Sequence, residues 1–163
     1  MFHTDIRRRC ELINHTLIAR KQMIVTAESC TGGLIAERLT EISGSSVYFI
    51  EGVTAYANEA KIRTLNVAPE LIEKHGAVSA EVAEAMAKGM RERARTDYAI
   101  SVTGIAGPSG GTEEKPVGTV FIGYSDENLT KSFKIVLPGD RYLIRWRSSQ
   151  AALDYLRRQI LKK

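Results

Sequence analysis

Residues 23–39 read MIVTAESCTGGLIAERL, a short apolar run followed by a turn and the start of an amphipathic segment. The apolar run predicts a buried strand, and the spacing of Ile35, Leu39 and Ile42 is that of one helix face. The paired glycines between them permit the tight turn that joins a strand to a helix. This strand–turn–helix unit predicts an α/β fold in which helices connect parallel strands.

The rest of the chain continues the alternation of strand and helix patterns. Further strands are predicted at 47–56, 98–102, 117–124 and 130–137, and further helices before the first strand, near 58, at 69–75, after 79 and at 141–160. Only the last two strands follow each other directly, which predicts a hairpin. We therefore predict a three-layer α/β/α fold with a mixed, mostly parallel sheet of about five strands.

Length and composition indicate one globular domain over residues 1–163. The chain is 44% hydrophobic and 26% charged, which excludes a disordered or fibrous protein. It begins without the apolar core of a signal peptide, and no stretch approaches the roughly 20 apolar residues of a membrane span, so we expect a cytoplasmic protein with no membrane partner. The net charge of +4 is spread along the chain, so nucleic-acid binding is not predicted. The two cysteines and three histidines lack metal-ligand spacing, so no metal site is predicted.

Ser29 is the first candidate for chemistry, because it lies between the predicted strand and the helix start. A hydroxyl in such a turn is exposed, and the N–H groups of the next residues, Cys30 and Thr31, point outward with the positive end of the helix dipole. They are candidates for an oxyanion hole. A serine that only caps the helix would occupy the same position.

Lys61 and Tyr56 are the candidate partners of Ser29, in the stretch AYANEAK at 55–61. A lysine that is partly desolvated there would have a lowered pKa and could accept the serine proton. The alternatives are a solvated helix lysine and a half-buried packing tyrosine.

The glycine-rich loop at 103–111 and two arginines form the candidate binding elements. The four glycines of this loop would let the backbone approach a ribose or phosphate closely, although a mobile surface loop has the same composition. The candidate binding residues in the loop are Thr103, Gly104, Ala106 and Gly107. Arg141 and Arg145 follow the pair Gly139-Asp140 one turn apart, which suits a phosphate; the alternative is two solvated arginines behind a helix cap.

Six motifs together resemble the CinA C-terminal-domain family over almost the whole chain from about residue 5. They are AESCTGG at 27–33, AYANEAK at 55–61, HGAVS at 75–79, SVTGIAGPSGG at 101–111, EKPVGTV at 114–120 and PGDR at 138–141. The resemblance implies the three-layer mixed-sheet fold, no metal and frequent homo-oligomers; we expect no cofactor. Activities of the additional N-terminal domain of full-length CinA proteins are not expected of these residues.

The functional class that the resemblance implies is the PncC-type nicotinamide-nucleotide amidase of pyridine-nucleotide salvage, which converts nicotinamide mononucleotide to nicotinate mononucleotide and ammonia. The family's catalytic serine, lysine and tyrosine match Ser29, Lys61 and Tyr56, and its basic positions match Arg141 and Arg145. The implied mechanism is acyl transfer through Ser29. Two alternatives stay open: a nucleotide- or partner-binding module without catalysis, and an amidase in which Cys30 is the nucleophile with Glu28 and Lys61.

Overall fold

The computed structural model describes the backbone of residues 2–162 and the side chains of residues 6–162. Within them helices and strands alternate as the sequence predicts. In chain order the elements are α1 (Phe2–Arg20), β1 (Ile24–Glu28), α2 (Leu34–Thr40), a short 3-10 helix (Ser45–Val47), β2 (Phe49–Thr54), α3 (Asn58–Leu65), α4 (Pro69–His75), α5 (Ala80–Ala94), β3 (Tyr98–Gly104), β4 (Thr119–Ser125), β5 (Thr130–Val136) and α6 (Arg141–Leu161).

The strands form one sheet in the order β2-β1-β3-β4-β5. β1 pairs in parallel with both β2 and β3, whereas β3–β4 and β4–β5 are antiparallel. The predicted mixed α/β sheet of five strands is confirmed, as is the hairpin that joins the last two strands. The prediction of a mostly parallel sheet was imprecise, because two of the four strand pairs are parallel and two are antiparallel.

Helices cover both faces of the sheet, which gives the three predicted layers. Alternate residues of a strand point to opposite faces, so Ile24 packs in the cluster beneath α1, α2 and α6, and its neighbour Val25 packs in the cluster beneath α3 and α5. The side chains of both residues are fully buried. Each such burial contributes about 1.5–3 kcal/mol relative to an exposed side chain.

The order of the strands determines where loops from different parts of the chain meet. β1 lies between β2 and β3 in the sheet. The connection from β1 to β2, which contains α2, covers one face of the sheet, and the connection from β2 to β3, which contains α3 and α5, covers the other, so a crevice is left at the carboxyl end of β1. Ligands of open α/β sheets bind at such a crevice. Ser29 follows β1 there, and Thr103 lies near the end of the neighbouring strand β3, so their loops meet at this edge of the sheet.

Candidate active site

The turn that carries Ser29 has a backbone that only glycine adopts readily. β1 ends at Glu28, and α2 begins at Leu34 after Gly32 and Gly33, whose φ angles are 64° and 100°. Residues with side chains rarely adopt positive φ. The N–H of Ser29 donates to the carbonyl of Val102 at 2.9 Å, which ties the turn to the end of β3.

The buried carboxylate of Glu28 caps the start of α2. Its Oε2 accepts hydrogen bonds from the N–H groups of Gly33 and Ile35 at 3.0 and 3.1 Å, and its Oε1 accepts one from Ala36 at 2.9 Å. Three of the free N–H groups that every helix start presents are thereby satisfied. The carboxylate holds α2 against the end of β1, so the direction of the turn is set from both sides.

Two N–H groups of the turn make no hydrogen bond to another of the described residues. The other N–H groups of the turn have acceptors. The N–H of Gly32 donates to the carbonyl of Ser29 at 3.0 Å, and those of Ser29 and Gly33 donate to Val102 and Glu28 as described above. In the described part of the chain, the N–H groups of Cys30 and Thr31 donate to no other residue, and these are the two that the sequence predicts for an oxyanion hole. Cys30 lines the cavity beside Ser29, whereas Thr31 is fully buried.

Lys61 reaches Ser29 from the first turn of α3. Its Nζ lies 3.1 Å from Ser29 Oγ, and it also donates to the carbonyl oxygens of Ala55 and Tyr56, each at 3.0 Å. The residue is 1% exposed, and no ion pair to Lys61 exists among the described side chains. The solvated helix lysine that the sequence left open is therefore wrong.

Burial shifts the pKa of both ionisable neighbours of Ser29. Burial lowers the pKa of Lys61 from its ordinary value, and the nearby Cys30 opposes this weakly. Burial also raises the pKa of the Cys30 thiol to about 12. Since the thiolate is the reactive form of cysteine, Cys30 is chemically inert near neutral pH, which argues against the cysteine-nucleophile alternative.

Tyr56 contacts Lys61 through its backbone carbonyl, and its hydroxyl points elsewhere. That hydroxyl accepts a hydrogen bond from Arg141 at 2.8 Å, and Arg141 also donates to the carbonyl of Gly107 at 2.9 Å. The tyrosine side chain is 57% exposed. Arg141 thus connects Tyr56 to the glycine-rich loop across the mouth of the site.

Arg145, one turn further along α6, lies behind the serine turn. Its Nε donates to the carbonyl of Cys30 at 3.1 Å, and a terminal nitrogen donates to the carbonyl of Thr31 at 3.0 Å. Asp140 caps this helix by accepting from the N–H of Leu143. The alternative of two solvated arginines is therefore wrong. Arg141 lies at the mouth of the site, and Arg145 lies behind the serine turn.

A cavity of about 300 Å³ brings most of the predicted residues together. This volume is at the lower end of the range of ligand pockets. The predicted residues that line it are Ser29, Cys30, Tyr56, Lys61, Thr103, Gly104, Ala106, Gly107 and Arg141. Thr31 and Arg145 do not line it. The close approach of Gly104 to its neighbours explains the absence of a side chain there, since a Cβ would lie 2.8 Å from Val120 and 3.1 Å from the Cys30 sulfur.

Sequence reasoning missed part of the cavity wall. Asn58, Ala77 and Val78 also line the cavity, and the carbonyl of Ala77 accepts from the buried Thr103 hydroxyl at 2.8 Å. The sequence did contain a signal for Ala77 and Val78. Gly76 ends α4 with a φ of 77°, glycine is a common residue at the end of a helix, and the residues after it turn back toward β3. The capping role of Glu28 was also missed.

A second, larger cavity of about 490 Å³ lies at the opposite, amino ends of the parallel strands. Its wall mixes acidic and basic side chains such as Arg91, Arg95 and Asp97, which is typical of a solvated surface. The smaller cavity contains the serine and the buried lysine, and it lies where α/β sheets bind their ligands. We therefore assign the candidate active site to the smaller cavity.

The fold and the site together define an α/β domain with a buried serine–lysine pair at the carboxyl end of its central parallel strand. The model of the CinA C-terminal domain matches residues 7–160, and the chain belongs to that family.

Relatives and solved structures agree with this assignment. The chain is 48% identical over 161 residues to a CinA-like protein of Koribacter versatilis, which covers 99% of the chain and 39% of the relative. A putative competence-damage inducible protein of Alkaliphilus metalliredigens is 49% identical over 93% of the chain and 37% of its own length. The chain thus spans less than two-fifths of these relatives. The competence/damage inducible protein CihA from Agrobacterium tumefaciens superposes with a TM-score of 0.91 at 41% identity, covering 93% of both chains.

Two further properties concern the part of the chain that the structure describes. None of its helices combines the length and apolar character needed to cross a membrane. Its His, Cys, Asp and Glu side chains do not form any group of three that could hold a metal ion.

Proposed function

We propose that this domain is an amidohydrolase that converts nicotinamide mononucleotide to nicotinate mononucleotide and ammonia through an acyl-enzyme on Ser29. The observation that carries the proposal is the 3.1 Å contact between Lys61 Nζ and Ser29 Oγ, made by a lysine that is buried without a carboxylate partner among the described residues. Buried lysines with a lowered pKa serve as general bases for serine nucleophiles.

The three contacts of Lys61 suit a neutral amine as well as an ammonium ion. In the neutral amine, two N–H groups donate to the carbonyls of Ala55 and Tyr56, and the lone pair accepts the hydrogen bond of the Ser29 hydroxyl. The amine takes the hydroxyl proton while Oγ attacks the carboxamide carbon. The carbonyl oxygen becomes an oxyanion, which the N–H groups of Cys30 and Thr31 stabilise.

The leaving group then receives the same proton. Protonated Lys61 donates it to the amide nitrogen, the C–N bond breaks and ammonia departs. A water molecule, deprotonated by the again neutral lysine, attacks the ester on Ser29, and the returning proton regenerates the hydroxyl. Atoms and charges balance over the cycle.

The phosphate of the substrate is assigned to Arg141, which lines the cavity mouth. Its fork is held between Tyr56 and Gly107, so it is oriented before a ligand arrives. A charge-assisted contact of this kind is worth about 1.5–3 kcal/mol, or roughly ten- to hundredfold in kcat/KM.

The test is ammonia release from nicotinamide mononucleotide, nicotinamide riboside and free nicotinamide by the purified chain. We expect the mononucleotide to be hydrolysed at least tenfold better than the riboside, and Arg141→Ala to remove most of that preference. Ser29→Ala should abolish turnover, whereas Cys30→Ala, the neighbouring control, should retain most of it. Binding of the mononucleotide without ammonia release would favour a binding module, and equal activity on the riboside would refute the phosphate assignment.

A further inference from the structure

The guanidinium of Arg145 binds the back of the serine turn rather than the cavity. Its two hydrogen bonds go to the carbonyl oxygens of Cys30 and Thr31, at 3.1 and 3.0 Å. The arginine belongs to α6, more than a hundred residues further along the chain. Gly32 lets the turn come this close, because a Cβ there would lie 3.1 Å from a terminal nitrogen of Arg145.

A trans peptide group points its C=O and its N–H in opposite directions, and among the described residues only the Gly107-Pro108 bond is cis. When Arg145 holds the Cys30 carbonyl toward α6, the Thr31 N–H of the same peptide group must point away from α6. The guanidinium therefore orients one of the two N–H groups of the candidate oxyanion hole directly.

The second N–H group is oriented through one further hydrogen bond. Arg145 holds the Thr31 carbonyl, so the Gly32 N–H in that peptide group is directed to the opposite side, where it donates to the Ser29 carbonyl at 3.0 Å. This hydrogen bond fixes the carbonyl of the peptide group that joins Ser29 to Cys30. The N–H of Cys30 belongs to the same peptide group, so it points in the opposite direction. Each bond to a carbonyl also polarises the peptide group and strengthens its N–H as a donor.

From this geometry we infer that Arg145 is a positioning residue that orients the oxyanion-binding N–H groups of Cys30 and Thr31. The inference rests on the proposed serine-hydrolase chemistry, but it does not depend on the identity of the amide substrate. It also separates the two arginines that the sequence placed together on a phosphate: Arg141 faces the ligand, and Arg145 shapes the turn that carries the nucleophile.

The experiment measures the reactivity of Ser29 with a fluorophosphonate probe, which does not require the natural substrate. Oγ displaces fluoride from phosphorus, the hydroxyl proton passes to Lys61, and negative charge develops on the phosphoryl oxygen as it does on an oxyanion. The variants are Arg145→Ala and Arg145→Lys, which keeps the charge but cannot bind both carbonyls as a fork. The control is Arg147→Ala on the same helix, whose guanidinium binds the carbonyl of Pro138 instead.

We expect Arg145→Ala to slow labelling tenfold to a hundredfold, Arg145→Lys to give a smaller loss, and Arg147→Ala to match the unmodified protein. Methylguanidinium added to Arg145→Ala should restore part of the rate, which a general loss of folding would not allow. With nicotinamide mononucleotide the kcat of the Arg145 variants should fall while KM stays nearly constant.

Two results would overturn the inference: unchanged labelling in both Arg145 variants, or a KM that rises for the mononucleotide alone, which would place Arg145 on the phosphate. A Ser29 that does not react with the probe in the unmodified protein would refute the hydrolase chemistry as well. If the unmodified protein labels in an Arg145-dependent way but releases no ammonia from the mononucleotide, the inference stands and the proposed substrate fails.

Discussion

At the scale of single residues, the environment of Lys61 changes an ordinary side chain into a candidate base. An exposed lysine is an ammonium ion at neutral pH, with a pKa of about 10.4. Burial against Ala55 and Tyr56 penalises the charged form, so its pKa is lowered and the neutral amine becomes accessible. Burial also raises the pKa of the Cys30 thiol to about 12, so this neighbour of Ser29 stays a protonated thiol near neutral pH.

This environment predicts the pH dependence of turnover. Lys61 is protonated below its pKa and neutral above it, so kcat should rise with pH along a limb that lies below the ordinary lysine pKa. Lys61→Arg keeps a positive charge but cannot accept a proton, and should lower kcat at least a hundredfold. The measurement is a pH–rate profile of ammonia release. Lys115→Arg, whose parent amine binds the His75 carbonyl outside the cavity, is the control; an active Lys61→Arg would show that the lysine acts only electrostatically.

At the scale of elements, the buried carboxylate of Glu28 determines where α2 begins. Its three hydrogen bonds to N–H groups of the helix start replace an ordinary N-cap, which Gly33 cannot supply because it has no side chain. A carboxylate is also favoured by the positive end of the helix dipole. The position of Ser29 therefore depends on the residue that precedes it.

Glu28→Gln tests this role of the carboxylate. The amide replaces one acceptor oxygen by an NH₂ group that faces helix N–H donors, so at least one hydrogen bond is lost and a buried donor stays unpaired. We expect the free energy of unfolding to fall by about 1.5–3 kcal/mol, as measured by urea denaturation. Glu37→Gln, on the exposed side of the same helix, should change it by less than about 0.5 kcal/mol. Equal values for the two variants would contradict the capping role.

At the scale of the whole molecule, the layer of α3 and α5 holds Lys61 over the end of the sheet. The two helices cross at Gly89, where a Cβ would lie 1.8 Å from the carbonyl oxygen of Leu65, the last residue of α3. The absence of a side chain at this crossing lets α3 lie close enough for its lysine to reach Ser29.

Gly89→Ala should therefore destabilise the protein although alanine is the better helix former by about 1 kcal/mol. Overpacking of this kind typically costs about 1–3 kcal/mol, and a displaced α3 should also slow the labelling of Ser29. Thermal unfolding and the fluorophosphonate rate measure the two effects. Lys88→Ala, the exposed neighbour on α5, is the control; a stabilised Gly89→Ala would mean that the crossing adjusts freely.

Several features were determined by the sequence alone because they depend on local order. The strand, the Gly32–Gly33 turn and the helix after Ser29 follow from apolar spacing and from the φ angles that glycine permits. The alternation of elements predicted the mixed sheet. Residue types just past strand ends identified most of the cavity lining.

Only the tertiary structure decided the roles that depend on contacts between distant segments. The spacing of Arg141 and Arg145 suggested one phosphate site, but the crossing of α6 over the serine turn places one at the cavity mouth and the other on the carbonyls of Cys30 and Thr31. The burial of Lys61 likewise comes from the packing of distant segments, which the local sequence pattern does not predict. Local sequence sets backbone preferences, whereas burial, pKa and hydrogen-bond partners depend on which residues the folded chain brings together.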